Sequence, residues 1–133
     1  MFEFVVAGIP RTVQTKKASS RENWKNRVAD EALAALEIQR HYFSSSCSAT
    51  VIYFYSESTE LDVDGIAKLI LDGLKQIVFD DDDIVDQVTT RKSDQVGLAL
   101  TNPPPVLAAA LGTFPNLVYV KIENGPNHSE LPR

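Results

Sequence analysis

Two aspartates one residue apart, Asp62 and Asp64, precede Lys68, which stands four residues after the second of them, and an unbroken acidic run follows at Asp80 to Asp83. Charges of one sign packed this densely repel, so a positive partner must offset them. Carboxylates gathered from the two places would be hard oxygen ligands. They suit Mg²⁺ or Mn²⁺, which prefer octahedral oxygen and keep positions open for water and phosphate. Such an ion activates a water, polarises a phosphoryl group and shields the leaving oxygen. A lysine one helical turn from the ligands stabilises the charge that builds up on phosphorus. On a helix, residues four apart lie ~5–6 Å apart at Cβ, so Asp64 and Lys68 share a face and Asp72 continues it. The spacing fits a metal-dependent phosphodiesterase. The same letters also suit a helix cap beside a solvated acid, followed by an exposed acidic turn, and such motifs match by chance often.

The elements that must position these residues follow from periodicity. Phe2 to Gly8 reads as a strand, and Pro10 opens a polar, basic loop up to the first helix. That helix starts at Ser19, three residues ahead of Glu22 in the spacing of a capping box. Trp24, Val28, Ala32 and Ala35 or Leu36 recur on its inner side, with Arg21, Lys25 and Arg27 outside. Ser48 to Ser56 is β-branched and aromatic, hence a strand. A second helix is expected from about Asp64 to Val78, with Asp64 as its N-cap and Ile66, Leu69, Ile70, Leu74, Ile77 and Val78 as its apolar stripe. Ile84 to Lys92 and Leu117 to Glu123 alternate as strands. Between them, "VLAAAL" suits a short helix after three prolines. The pattern predicts an α+β fold of α/β composition, with about four strands in a mixed sheet and two main helices, in the order β-α-β-α-β-β. It fills residues 1–123 as one domain and leaves 124–133 as a loose tail.

Composition bounds the function. The chain has 133 residues, is 44% hydrophobic and carries a net charge of -5, which opposes a general affinity for nucleic acid. The charge is uneven: residues 1–40 hold seven Lys or Arg against five acids, and residues 41–101 hold four against eleven. A basic surface beside an acidic site is one reading; two solvated faces is the other. No apolar run spans a bilayer and the N-terminus has no signal-peptide pattern, so no membrane role and a cytoplasmic location are expected. The single cysteine, Cys47, reads as a small apolar residue, Trp24 as core, and His41 and His128 as residues without a role.

The segments "DVDGIAK" and "DDDIVDQVTTRK" resemble the signature of the RusA family of Holliday junction resolvases. The opening "GIP", the basic loop "RTVQTKK" and "WK" at Trp24 and Lys25 are similar to that family's start. The resemblance covers roughly Phe2 to Lys92. It implies that Asp62, Asp64 and Asp82 are metal ligands, with Asp83 or Asp81 as alternatives for the third, and that Lys68 is the catalytic lysine. Gly65 stands where the family has asparagine. The implied activity is a Mg²⁺-dependent endodeoxyribonuclease, with Mn²⁺ able to substitute. It would act as a homodimer that nicks opposing strands of a four-way DNA junction with a metal-activated water. Arg11, Lys16, Lys17, Arg21 and Lys25 are the phosphate-binding candidates, recognition resting on phosphate contacts and shape. Two rivals stand beside it: a dimeric module that binds branched nucleic acid without cutting, and an acidic protein-interaction domain that holds a cation.

Overall fold

The computed structural model describes residues 1–57 and 60–132. Ser58, Thr59 and Arg133, the last in the expected tail, lie outside the described residues. Four strands, β1 (Phe2–Ala7), β2 (Cys47–Tyr55), β3 (Val85–Asp94) and β4 (Leu117–Asn124), form one mixed sheet in the order β1-β4-β2-β3. β4 is antiparallel to both neighbours, whereas β2 and β3 are parallel. A parallel pair needs a crossover, and α2 (Ala67–Leu74) makes it; α1 (Ala18–Gln39) joins β1 to β2 and the short α3 (Pro105–Ala110) precedes β4. The mixed four-stranded sheet with helices packed on it is the fold class that the sequence predicts, and "VLAAAL" is indeed helical.

Strand alternation sorts the side chains between two faces. Phe2, Phe4 and Val6 of β1, Val51 and Tyr53 of β2, and Val118, Val120 and Ile122 of β4 pack with Trp24, Val28 and Ala32 of α1 and with the apolar side of α2. Trp24 is therefore core, and Cys47 is buried in the same cluster. The opposite face buries Ile52, Phe54, Leu117 and Tyr119 under Leu107 and Ala110, so Phe54 faces away from Tyr53.

Two helix boundaries differ from the expectation. α1 begins at Ala18 after an extended Lys17 with no side-chain cap, so Ser19 lies inside the first turn. Glu22 does not reach back to a cap; its Oε1 pairs with Lys25 Nζ at 2.7 Å. The second helix is shorter at both ends. Residues Val63–Gly65 form a separate 3-10 turn, closed by Gly65 N–H donating to Asp62 O at 3.1 Å, and Asp64 makes no capping bond. At the other end Lys75 turns extended and Gln76 adopts φ +65°. Val78 and Phe79 are fully buried in that reversal, with Phe43 N–H donating to Val78 O at 2.7 Å. Helical continuation would carry them past the core; the turn folds them back into it.

α1 and α2 cross at Gly73. A Cβ there would lie 2.9 Å from the Lys25 carbonyl oxygen and 3.4 Å from Val28 Cβ. Alanine would gain about 1 kcal/mol of helix propensity, but overpacking costs about 1–3 kcal/mol and a backbone carbonyl does not swing aside. Gly73→Ala is therefore expected to destabilise the fold, read as a lower urea midpoint at unchanged slope.

Candidate active site

The tetra-aspartate run resolves into four different environments. Asp80 accepts from the Tyr42 hydroxyl, and Gln76 Nε2 donates to its carbonyl at 2.8 Å. Asp81 Oδ1 accepts from the Asp82 backbone N–H at 2.7 Å, capping the 3-10 turn Asp82–Ile84 that leads into β3. Asp82 Oδ2 accepts from Lys68 Nζ at 3.1 Å, and its Oδ1 lies 3.7 Å from Lys75 Nζ. Asp83 is exposed and has no ion pair among the described residues.

Two ammonium groups thus offset the acid run, and only one of them was in view from the sequence. Lys68 Nζ also lies 3.1 Å from Asp72 Oδ1, and Lys75 Nζ lies 3.2 Å from the same atom and 3.6 Å from Asp81. Asp72 Oδ1 is buried, and the two ammonium groups hold it between them. Asp72 and Lys75 carry no role in the sequence reading. The signal was available: Lys68, Asp72 and Lys75 are spaced by four and three, the ladder that puts side chains on one helix face.

These contacts set the protonation states. The Asp72 carboxylate, and after it Asp82, hold the Lys68 ammonium above the ordinary lysine pKa. Asp72 does the same for Lys75. The Asp82 backbone N–H holds Asp81 below the ordinary aspartate value. A depressed carboxyl contributes stability above its unfolded pKa of about 3.9 and loses it as pH falls through the lower folded value. A raised lysine contributes below about 10.4 and loses it above its folded value. The contributions of Asp81 and of the two lysines are therefore present together from about pH 4 to about pH 10. In thermal melts across pH, Asp81→Asn is expected to shrink the acid-side loss, with a smaller decrease on the alkaline side because Asp81 also helps hold the Lys75 ammonium. Salt should weaken the effect, since these groups meet solvent.

Asp62 and Asp64 stand on the other side of this picture. Both are exposed, on and just before the 3-10 turn, and they line a cavity of about 280 Å³ with Thr12, Val13, Gln14 and Glu60. The basic loop therefore borders the acid turn. Gly65 lies against Thr12, whose Cγ2 would be 3.5 Å from an added Cβ, an ordinary contact that leaves room for a side chain. Lys92 Nζ, near the end of β3, donates to Leu61 O at 2.7 Å and ties the approach to Asp62 to that end. Asp82 lies just before β3 begins, and the strand's ten residues span about 33 Å. Lys68, which pairs with Asp82, nonetheless stands one helical turn beyond Asp64, so this lysine links the two acid sets within one chain. Among the described residues no three His, Cys, Asp or Glu side chains form a group able to hold a metal ion.

The phosphate-binding candidates divide similarly. Arg11, Lys16 and Lys17 are exposed on the loop. Arg21 donates to the Thr15 carbonyl and Lys25 is neutralised by Glu22, so both are committed to local structure.

The chain thus combines a four-stranded mixed sheet, a β-α-β crossover, an Asp-x-Asp turn entering the crossover helix, and an acid run entering the next strand. The family model for endodeoxyribonuclease RusA matches residues 5–99, and the chain belongs to this family. A comparison with the curated proteins gives no match.

Proposed function

We propose that the protein is a divalent-cation-dependent endodeoxyribonuclease that resolves four-way DNA junctions by paired symmetric nicks. One observation carries this reading beyond family membership. Asp64, which no helix cap uses, lines a cavity with the basic loop, and Lys68 one turn on holds the acid run through Asp82. Asp62, Asp64 and Asp82 are the proposed cation ligands, and their oxygen chemistry fits Mg²⁺ or Mn²⁺. When bound, the cation supplies Lewis-acid stabilisation of the phosphoryl group and eases ionisation of the attacking water. The chain's own residues do the rest. Lys68, kept protonated by Asp72 and Asp82, presents an ammonium to charge developing on phosphorus. Arg11, Lys16 and Lys17 hold the phosphates flanking the cut, with Arg21 and Lys25 stiffening the loop and helix from which they project.

The homodimer of this reading has a structural motive. A two-fold dimer would set two such acid sites against the two-fold junction, one for each strand to be cut. A cytoplasmic site of action belongs to the same reading; among the described residues no helix is long and apolar enough to cross a membrane. Incubating a labelled four-way junction with the protein and Mg²⁺ tests the proposal. Matched nicks in opposing strands, abolished by chelation, are the expected result; intact junction at every metal concentration overturns it.

A second reading, a junction-binding module that does not cut, has its own support. Lys68 and Lys75 already offset the acid run, and Gly65 stands in place of the asparagine of the resembling family. It predicts salt-sensitive junction binding with no cleavage in Mg²⁺ or Mn²⁺.

A further inference from the structure

We propose that the cavity between the end of β1 and the outer side of α1 is a second, separate site that takes a phosphate group of nucleic acid. The cavity has a volume of about 440 Å³, and Gly8, Arg11, Ser20, Asn23, Trp24 and Arg27 are among the residues that line it. No carboxylate lines it, on a chain with 18 acidic residues against 13 Lys and Arg. The charge balance of the molecule would make the opposite lining the default, so the exclusion of acid needs a reason.

Arg27 is held in place at this cavity by contacts that leave its charge free. Its guanidinium donates to the Ala7 carbonyl and lies over the Trp24 ring, 5.6 Å from the centroid. Gly8 makes the fit possible: its φ is +117°, and a Cβ there would come 2.8 Å from Arg27 Nη1. Among the described residues neither Arg27 nor Arg11 pairs with a carboxylate. A guanidinium fork fixed in direction but not neutralised matches the geometry of phosphate oxygens. Trp24 is 2% exposed and gives the guanidinium a fixed ring to lie over. Ser20 and Asn23 add short polar groups on the same side of α1. The volume exceeds one phosphate and admits the adjoining sugar.

The position gives the site a use. Loop residues 8, 9 and 11 line this cavity, and residues 12–14 line the one bordered by Asp62 and Asp64. The two adjoin across a single loop, so a strand cut at the acid turn presents a neighbouring phosphate to Arg11 and Arg27. This use rests on the nuclease reading; the pocket itself rests on its lining.

Trp24 is the sole tryptophan and lines this cavity, so its emission and its one indole N–H resonance respond to a ligand bound there. The probes are 5′-phosphorylated dithymidine, inorganic phosphate and thymidine, at low salt. We expect a saturable response to the phosphorylated dinucleotide, a weaker one to inorganic phosphate and none to thymidine. Half-saturation should rise about tenfold or more in Arg11→Gln, whose side chain makes no internal bond to lose, and in Arg27→Lys, which keeps the charge but not the fork. Asp62→Asn with Asp64→Asn should leave the response intact. No saturable response in the native protein, or one unchanged in both arginine variants, overturns the site. A response from a protein that neither binds nor cuts junctions leaves the pocket standing and removes the nuclease reading. Cleavage without a response does the reverse.

Discussion

Asp64→Asn is expected to lower Mg²⁺-dependent cleavage of a four-way junction by at least about 10²–10³-fold, the scale of losing one charge-stabilising group in a transition state. The fold should not suffer, because Asp64 is exposed and caps no helix. Thermal melts of the variant should match those of the native protein within about 0.5 kcal/mol. Asp82→Asn should be similarly inactive. Mixing the two inactive variants then separates the possible architectures. If each site draws Asp64 from one protomer and Asp82 from the other, a mixed dimer carries both lesions in one site and leaves the second intact. Random re-assortment would restore about a quarter of the native nicking rate, since half the dimers are mixed and each has one good site. If each chain holds a complete site, every site in every dimer keeps a lesion and the mixture stays dead. Nicking, rather than paired resolution, is the proper readout, because one intact site cuts one strand.

Lys68→Gln is expected to reduce cleavage by about 10²–10³-fold with junction binding retained. Lys68 meets the acid run from a side chain that is 53% exposed, and its pairs with Asp72 and Asp82 are both 3.1 Å long. Exposed ion pairs contribute about 0–1 kcal/mol, so the loss of activity should far exceed the loss of stability. Lys75 remains to offset Asp72 and Asp82 in the variant, which keeps the turn folded. A binding isotherm unchanged within about twofold beside a collapsed rate identifies Lys68 as acting on the reacting phosphate. Equal losses in binding and rate would instead assign it to ground-state attraction of DNA.

The strands, the first helix and the burial of Trp24 and Cys47 were legible in the sequence, since period two and period 3.6 are local properties of the letters. So were the acid turn and its lysine, which lie within one short segment. The end of α2 was not legible. Ile77, Val78 and Phe79 continue the apolar run, and only the need to bury Val78 and Phe79 beside Phe43 turns the chain at Gln76. The step from Asp72 to Lys75 was open to the same periodicity, but that Lys75 also faces Asp81 and Asp82 comes only from that turn.

The sequence by itself determined the residue types: hard carboxylates, a lysine at helical spacing, and a basic loop on an otherwise acidic chain. Only the tertiary structure decided which of them meet. Charge pattern carries no information on strand direction, and it is the parallel pairing of β2 with β3, with α2 as the crossover, that brings Asp82 to Lys68. It is likewise the close approach of Arg27 to Gly8, a contact between residues 19 apart, that turns an ordinary outward-facing arginine into the fixed wall of a cavity.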